Sequence, residues 1–221
     1  MWDKGWDTIF EQHEWGKYPP EEVIRLIARN FFKAPNRAAI AILEVGCGTG
    51  ANLWFVAREG FNAYGIDGSH VAIERARKRL SEESLKAELC VGDAMKLPYA
   101  DNTFDAVLDI ECSYANSMRD AKKIMSEVYR VLKPGGIFLS KTFMVGTYGD
   151  GMGKKLADEK NTYTEITEGA LKKGYGIIRF TEESEIKELY APFKIEFVDY
   201  LIRSESNRKY EVREWLITCR K

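Results

Sequence analysis

The stretch Ile42-Leu43-Glu44-Val45-Gly46-Cys47-Gly48-Thr49-Gly50 decides the fold. It completes the apolar run Ala39 to Val45, whose near-continuous hydrophobicity suits a strand buried on both faces. Glycines at 46, 48 and 50 then permit a tight turn and let the backbone approach a ligand closely. Asn52 to Glu59 reads as the helix behind that turn, stopped by Gly60. Its unpaired N–H groups and positive dipole end attract an anionic group. Strand, glycine turn and helix in that order predict an open parallel sheet that binds its ligand at the carboxyl ends of the strands.

Outward from this unit the chain keeps alternating. Upstream, Pro19-Pro20-Glu21-Glu22 opens a helix with Val23, Ile24, Ile27 and Phe31 at helical spacing. Downstream, Asn62 to Ile66 is a second strand, and Ser69 caps a helix that runs to Leu80. Ala87 to Val91 and Phe104 to Ile110 are the third and fourth strands. Met118 to Leu132 is a helix with Ile124, Val128, Val131 and Leu132 on one face. Lys133-Pro134-Gly135-Gly136 ends it, and Ile137 to Phe143 makes a fifth strand. Ile195 to Ile202 and Glu211 to Cys219, joined by a polar turn around Asn207, read as an antiparallel hairpin at one sheet edge. The predicted class is α/β: a Rossmann-like, mostly parallel sheet with helices on both faces and a C-terminal antiparallel hairpin. Between Met144 and Arg179 lies a Gly-rich, polar stretch of poor periodicity, whose length points to function or mobility.

Composition narrows the partners. A chain of 221 residues fits one domain with a sizeable core. Its 33 basic residues nearly balance 34 acidic ones, which argues against a general nucleic-acid binder. Apolar runs such as Ala38 to Leu43 are too short to cross a bilayer, and Met1-Trp2-Asp3-Lys4-Gly5 starts no signal-peptide-like stretch. Cys47, Cys90, Cys112 and Cys219 form no C-x-x-C pair, so neither a metal site nor a disulfide framework is expected. The natural compartment is a reducing cytoplasm.

The glycines alone do not choose the ligand, because Gly46, Gly48 and Ala51 also satisfy the dinucleotide pattern G-x-G-x-x-G/A. Three acids narrow the choice. Glu44 is a carboxylate inside an apolar strand, costly to bury unless it meets a partner such as a cationic ligand. Asp67, at the end of the second strand, can accept from both hydroxyls of a ribose. Asp93, in Val91-Gly92-Asp93-Ala94 after the third strand, can accept from the exocyclic amine of an adenine.

With these residues in hand, the sequence resembles the class I S-adenosylmethionine-dependent methyltransferases, bacterial small-molecule type. The resemblance runs through Ile42 to Gly50, Asp67, Gly92-Asp93-Ala94, Leu97-Pro98, Phe104-Asp105 and Leu132 to Gly136. It implies a seven-stranded sheet and S-adenosylmethionine as cofactor. It also implies that Gly46, Gly48 and Gly50 line the methionine part, that Asp67 holds the ribose, and that Asp93 with Ala94 faces the adenine. Asp109 matches the acid at the end of the family's fourth strand, near the methionine amine. Glu44, Cys47 and Gly68 complete the candidate cofactor set. One methyltransferase domain is expected over 1–221: an aromatic and helical cap (1–37), a cofactor-binding core (38–143), a substrate-side insertion (144–180) and a C-terminal helix and hairpin (181–221).

The expected reaction moves the methyl group to an oxygen or nitrogen of a small-molecule acceptor. Trp2, Trp6, Phe10, Trp15 and Tyr18 suit a lid over the cofactor or a helix packed on the core. His13, Glu111 and Tyr114 are the candidate catalytic groups, and Arg179 and Lys141 are candidates for holding an acidic acceptor. No Asn/Asp-Pro-Pro-Tyr run of the base-methylating kind follows the fourth strand, where Asp109-Ile110-Glu111-Cys112 stands instead. A nicotinamide-dependent oxidoreductase and a non-enzymatic S-adenosylmethionine-binding protein remain the alternatives. The first leaves Glu44 and Asp93 unexplained.

Overall fold

A computed structural model of the chain describes residues 5–13, 16–169, 171–172 and 176–221. Its centre is a seven-stranded sheet in the order β3-β2-β1-β4-β5-β10-β9. The parallel part comprises β1 (Ala41–Val45), β2 (Asn62–Asp67), β3 (Ala87–Val91), β4 (Phe104–Ile110) and β5 (Leu132–Phe143). β10 (Tyr210–Arg220) runs antiparallel to β5 and pairs with β9 (Lys194–Glu205), which forms the edge. The expected hairpin is therefore present, and its strands are longer than the apolar pattern indicated.

Helices cover both faces, as buried parallel strands require. Val23 and Ile27 of α2 (Glu21–Phe31), Leu53 and Val56 of α3 (Ala51–Arg58) and Ile73 of α4 (His70–Glu82) pack on Ile42, Ala106 and Leu108. On the other face, Ile124, Val128 and Val131 of α5 (Met118–Val131) and Leu189 of α6 (Glu183–Leu189) pack on Leu43, Val107 and Phe138. Helix starts are set by side-chain caps. Ser69 Oγ accepts from the Ala72 N–H at 3.1 Å, and Ser117 Oγ from the Asp120 N–H at 3.2 Å.

Two local differences from the sequence reading have physical causes. Lys133-Pro134-Gly135-Gly136 belongs to β5 rather than to a separating turn, because Leu132 already pairs with Phe104 before a register shift. The described residues between 144 and 179 also carry more regular structure than their composition suggests. β6 (Lys154–Lys155), β7 (Thr162–Thr164) and β8 (Ile178–Arg179) form a small antiparallel sheet. Ile166, Ile178 and Phe180 bury against Tyr114 and Phe143. Strands of two or three residues carry no periodicity to read.

Candidate functional site

Strand order reverses between β1 and β4, and a cavity of about 340 Å³ opens there at the carboxyl ends of the strands. The carboxyl ends of β1 to β4 contribute in turn Gly46, then Asp67 and Gly68, then Asp93 and Ala94, then Glu111 and Cys112. The start of α5 adds Ser117 and Asp120, and α1 (Gly5–Gln12) closes one side with Trp6 and Phe10.

The glycine turn is dictated by its own backbone. Gly46, Gly48 and Gly50 have φ of +64°, +50° and +79°, values that side-chain-bearing residues adopt at a cost. A Cβ on Gly46 would also stand 2.3 Å from Cys112 Sγ, so the turn and the wall after β4 fit only with glycine there. Bonds from the turn then fix Asp67. Its Oδ2 accepts from the Gly48 N–H at 2.9 Å, and its Oδ1 from the Ser69 N–H at 2.8 Å. Burial pushes the Asp67 carboxyl above its ordinary range, and these two bonds oppose the shift. Asp93 is positioned similarly, its Oδ1 accepting from the Met95 N–H at 2.9 Å.

Other members of the predicted cofactor set lie behind this wall. Glu44 is buried beneath the turn, where its Oε1 accepts from Asn52 Nδ2 at 2.5 Å. Glu44 Oε2 and Asn52 Oδ1 have no partner, and burial pushes Glu44 up to about 8. Asp109 is fully buried and organises the backbone after β4. It accepts from the N–H groups of Cys112 and Ser113 at 3.1 and 3.0 Å, and from Ser140 Oγ at 3.0 Å. Burial raises Asp109 as well, against these hydrogen bonds. Cys47, Gly48 and Gly50 shape the turn without lining the cavity.

The N-terminal helix combines both sequence readings, packing on the core while it covers the cavity. Ile9 and Phe10 are buried, and the ring of Phe10 lies 3.6 Å from the Cβ position of Gly48. Ser69 Oγ meets Asp7 Oδ1 at 2.5 Å, and Arg75 donates to the carbonyls of His13 and Glu11 at 3.1 and 3.2 Å. Tyr18 instead packs edge to face on Trp54, away from the cavity. Trp2 and Trp15 lie outside the described residues.

Of the three candidate catalytic groups, the cavity wall includes Glu111. Glu111 has φ of +59°, a strained value for a side-chain-bearing residue and one that concentrates at functional sites. Its carboxylate sits 3.1 Å from Lys141 Nζ, which also meets Glu214 at 3.1 Å and Glu22 at 4.0 Å. Burial pulls Lys141 down, but the surrounding carboxylates outweigh it and the net shift is upward. Burial and the neighbouring Glu111 charge push Glu214 up to about 7. Tyr114 is buried against Phe143 and its hydroxyl is pushed far up by desolvation. The His13 side chain is not on the cavity wall. Arg179 is fully buried, donating to Thr181 Oγ1 at 2.9 Å, so neither it nor Lys141 is a surface cation.

The sequence reading missed Cys112, Asn116, Ser117, Asp120 and Ile177 on the wall. Ser117-Met118-Arg119-Asp120 carries the Ser-x-x-Asp signature of a helix start, which was a usable signal. Ile177 follows a stretch with no readable pattern.

Residues 42–136 match the family described as "Methyltransferase domain". The chain carries a class I S-adenosylmethionine-dependent methyltransferase domain. A sterol 24-C-methyltransferase of Gibberella zeae is 31% identical to it over 193 residues, covering 84% of this chain and 47% of that one. Norajmaline N-methyltransferase of Rauvolfia serpentina is 31% identical over 140 residues, covering 62% of this chain and 47% of that one. The chain thus spans about half the length of these curated relatives. In fold, the methyltransferase domain superposes on an S-adenosylmethionine-dependent methyltransferase of Methanosarcina mazei with a TM-score of 0.67 at 23% identity, covering 82% of this chain and 92% of that one.

The donor set suits the family's cofactor, S-adenosylmethionine. Among the described residues the methyltransferase cavity has four carboxylates on its wall (Asp67, Asp93, Glu111 and Asp120) and no Lys or Arg. A ligand bearing a sulfonium and an ammonium is attracted there, whereas the two phosphates of a dinucleotide would be repelled. No described helix is long and apolar enough to cross a membrane, and no group of three described His, Cys, Asp or Glu side chains is placed to hold a metal ion.

Proposed function

We propose that the chain transfers a methyl group to an oxygen or nitrogen of a small-molecule acceptor bound in this cavity. The observation that carries the proposal is the separation of two acidic walls under one cover. Asp67 and Asp93 stand at the ends of β2 and β3, Glu111 stands after β4, and Trp6 and Phe10 of α1 flank the same space. When bound, S-adenosylmethionine supplies an electrophilic methyl group on a sulfonium.

The residues then divide the work. Asp67, held by two backbone N–H groups, presents its remaining lone pairs to the ribose hydroxyls. Asp93 and Ala94 take the adenine side, and Gly46 and Gly68 let the backbone approach the ligand. Glu44 adds an acid beneath the turn whose protonation a bound cation opposes. Asp109 acts by fixing the Cys112–Ser113 backbone, which carries Glu111 on its preceding side. Glu111 accepts the acceptor's proton, and Lys141 holds its carboxylate in place. Trp6 and Phe10 exclude water, which strengthens every charge interaction inside. His13 and Tyr114 take no part in this scheme.

Incubating the protein with S-adenosylmethionine and a panel of amines, alcohols and sterols, then measuring S-adenosylhomocysteine and the methylated product, tests the proposal. Turnover with an amine or alcohol supports it. Turnover only at a carbon of the sterols, or none with any member while the cofactor binds, counts against it.

A further inference from the structure

The C-terminal edge of the sheet lies well away from the cavity and is built unlike a protected edge. Among the described residues β9 pairs only with β10, so its outer row of N–H and C=O groups meets no described strand. Ten of its twelve residues are exposed. They include Phe197 at 59%, Tyr200 at 60% and Ile202 at 48% exposure, with Val198 and Leu201 beside them. Natural edges are blunted by bulges, lysines, prolines or short length. Here the register irregularity and Lys194 sit at the start of the strand, leaving the nine residues from Phe197 to Glu205 in regular register, with five exposed apolar side chains (Phe197, Val198, Tyr200, Leu201 and Ile202) set among the charged Asp199 and Arg203. An apolar groove between α6 and β9, lined by Ile186, Tyr190, Phe193 and Val198, continues the strip onto one face.

From this edge we infer that the chain forms a two-fold symmetric homodimer in which β9 pairs antiparallel with β9 of a second copy. The two seven-stranded sheets then join into one. Symmetry restricts the register. When two copies meet by the same edge about a two-fold axis, facing residues share parity, so some residue must face its own copy.

Charge selects among the registers this allows. Centring on Asp199 sets two carboxylates face to face. Centring on Tyr200 places Asp199 opposite Leu201. Centring on Leu201 puts Asp199 opposite Arg203 twice and Tyr200 opposite Ile202 twice, with Leu201 on Leu201 at the axis. That register uses the bulge-free residues Phe197 to Glu205 and opposes no like charges. Arg203 can turn toward a partner, since its ion pair among the described residues is with the partly exposed Glu205 of its own strand, at 3.1 Å. The occupant of this edge is therefore a second copy of the same chain.

Sedimentation equilibrium of the full chain and three variants tests the register directly. The wild type is expected to be a dimer. Asp199→Arg and Arg203→Asp each turn two symmetry-related pairs repulsive and should weaken dimerisation roughly tenfold or more. The double variant D199R/R203D restores opposite charges and should recover most of the loss. Both substituted positions are exposed, so far-ultraviolet circular dichroism should be unchanged and every species folded. A wild-type monomer at high micromolar concentration overturns the inference, as does mass growth into open polymers. A dimer indifferent to both single reversals, or one the double variant fails to restore, overturns it equally. So does binding of a different polypeptide at β9 that excludes self-association.

Discussion

Ser69 Oγ and Asp7 Oδ1 stand 2.5 Å apart, so one hydrogen bond ties the helix over the cavity to the residue that caps α4. Ser69 is also the backbone partner of Asp67, at 2.8 Å from its Oδ1. The cover and the carboxylate proposed to hold the ribose thus share one anchor. Asp7→Ala should release α1 from this anchor while leaving the α4 cap intact. We expect the affinity for S-adenosylhomocysteine to fall roughly tenfold, read by isothermal titration, with little change in melting temperature. Unchanged affinity would mean that α1 does not contribute to holding the ligand.

The contact between Gly46 and Cys112 makes a second outcome checkable. Gly46→Ala combines a positive φ with a Cβ placed 2.3 Å from Cys112 Sγ. It should cost about 2–4 kcal/mol in urea unfolding. Adding Cys112→Gly removes the steric part but not the backbone part, so the double variant should recover a portion of that loss. No recovery at all would place the whole cost in the backbone.

A third outcome concerns pH. Burial lifts Glu44 to about 8 in the folded chain, from an ordinary value of 4.5. Between those values the folded state keeps a proton that the unfolded state releases, so stability is lost as pH rises through the window. Glu44→Gln carries no such proton. Its stability relative to the wild type should therefore improve from pH 5 to pH 8, by something on the order of 3 kcal/mol. Equal pH dependence of the two proteins in denaturant titrations would show that Glu44 ionises normally when buried.

The three candidate catalytic groups separate by kinetics. Glu111→Gln should lower kcat about a hundredfold with cofactor affinity nearly unchanged, because it removes a proton acceptor and not a cofactor contact. His13→Ala and Tyr114→Phe should stay within a few-fold of the wild type. A large loss in either, with Glu111→Gln active, would move the base elsewhere.

The legible part of the site was the part encoded locally. A buried strand, three glycines and an acid at each strand end are read from neighbouring residues, and the cavity collects Gly46, Asp67 and Asp93 as those patterns imply. Ser69 as a cap was visible for the same reason. What was not legible depends on partners distant in the chain. Asp7 meets Ser69 across 62 positions, and Cys112 limits Gly46 from the segment that follows β4. Glu44 suggested a direct ligand contact because it is a lone acid in an apolar strand, yet Asn52, in the first turn of the next helix, faces it first. The β7–β8 pairing, whose strands span three and two residues, carried no pattern to detect.

The carboxylates at the ends of β2 and β3 are proposed to grip S-adenosylmethionine. Titrating S-adenosylhomocysteine into wild-type protein and Asp67→Ala, with NAD as a parallel ligand, tests that role most directly. The wild type should bind the sulfur nucleoside and not NAD, and Asp67→Ala should bind it roughly a hundredfold more weakly. Equal affinity of the two proteins, or preferential binding of NAD, would contradict that role.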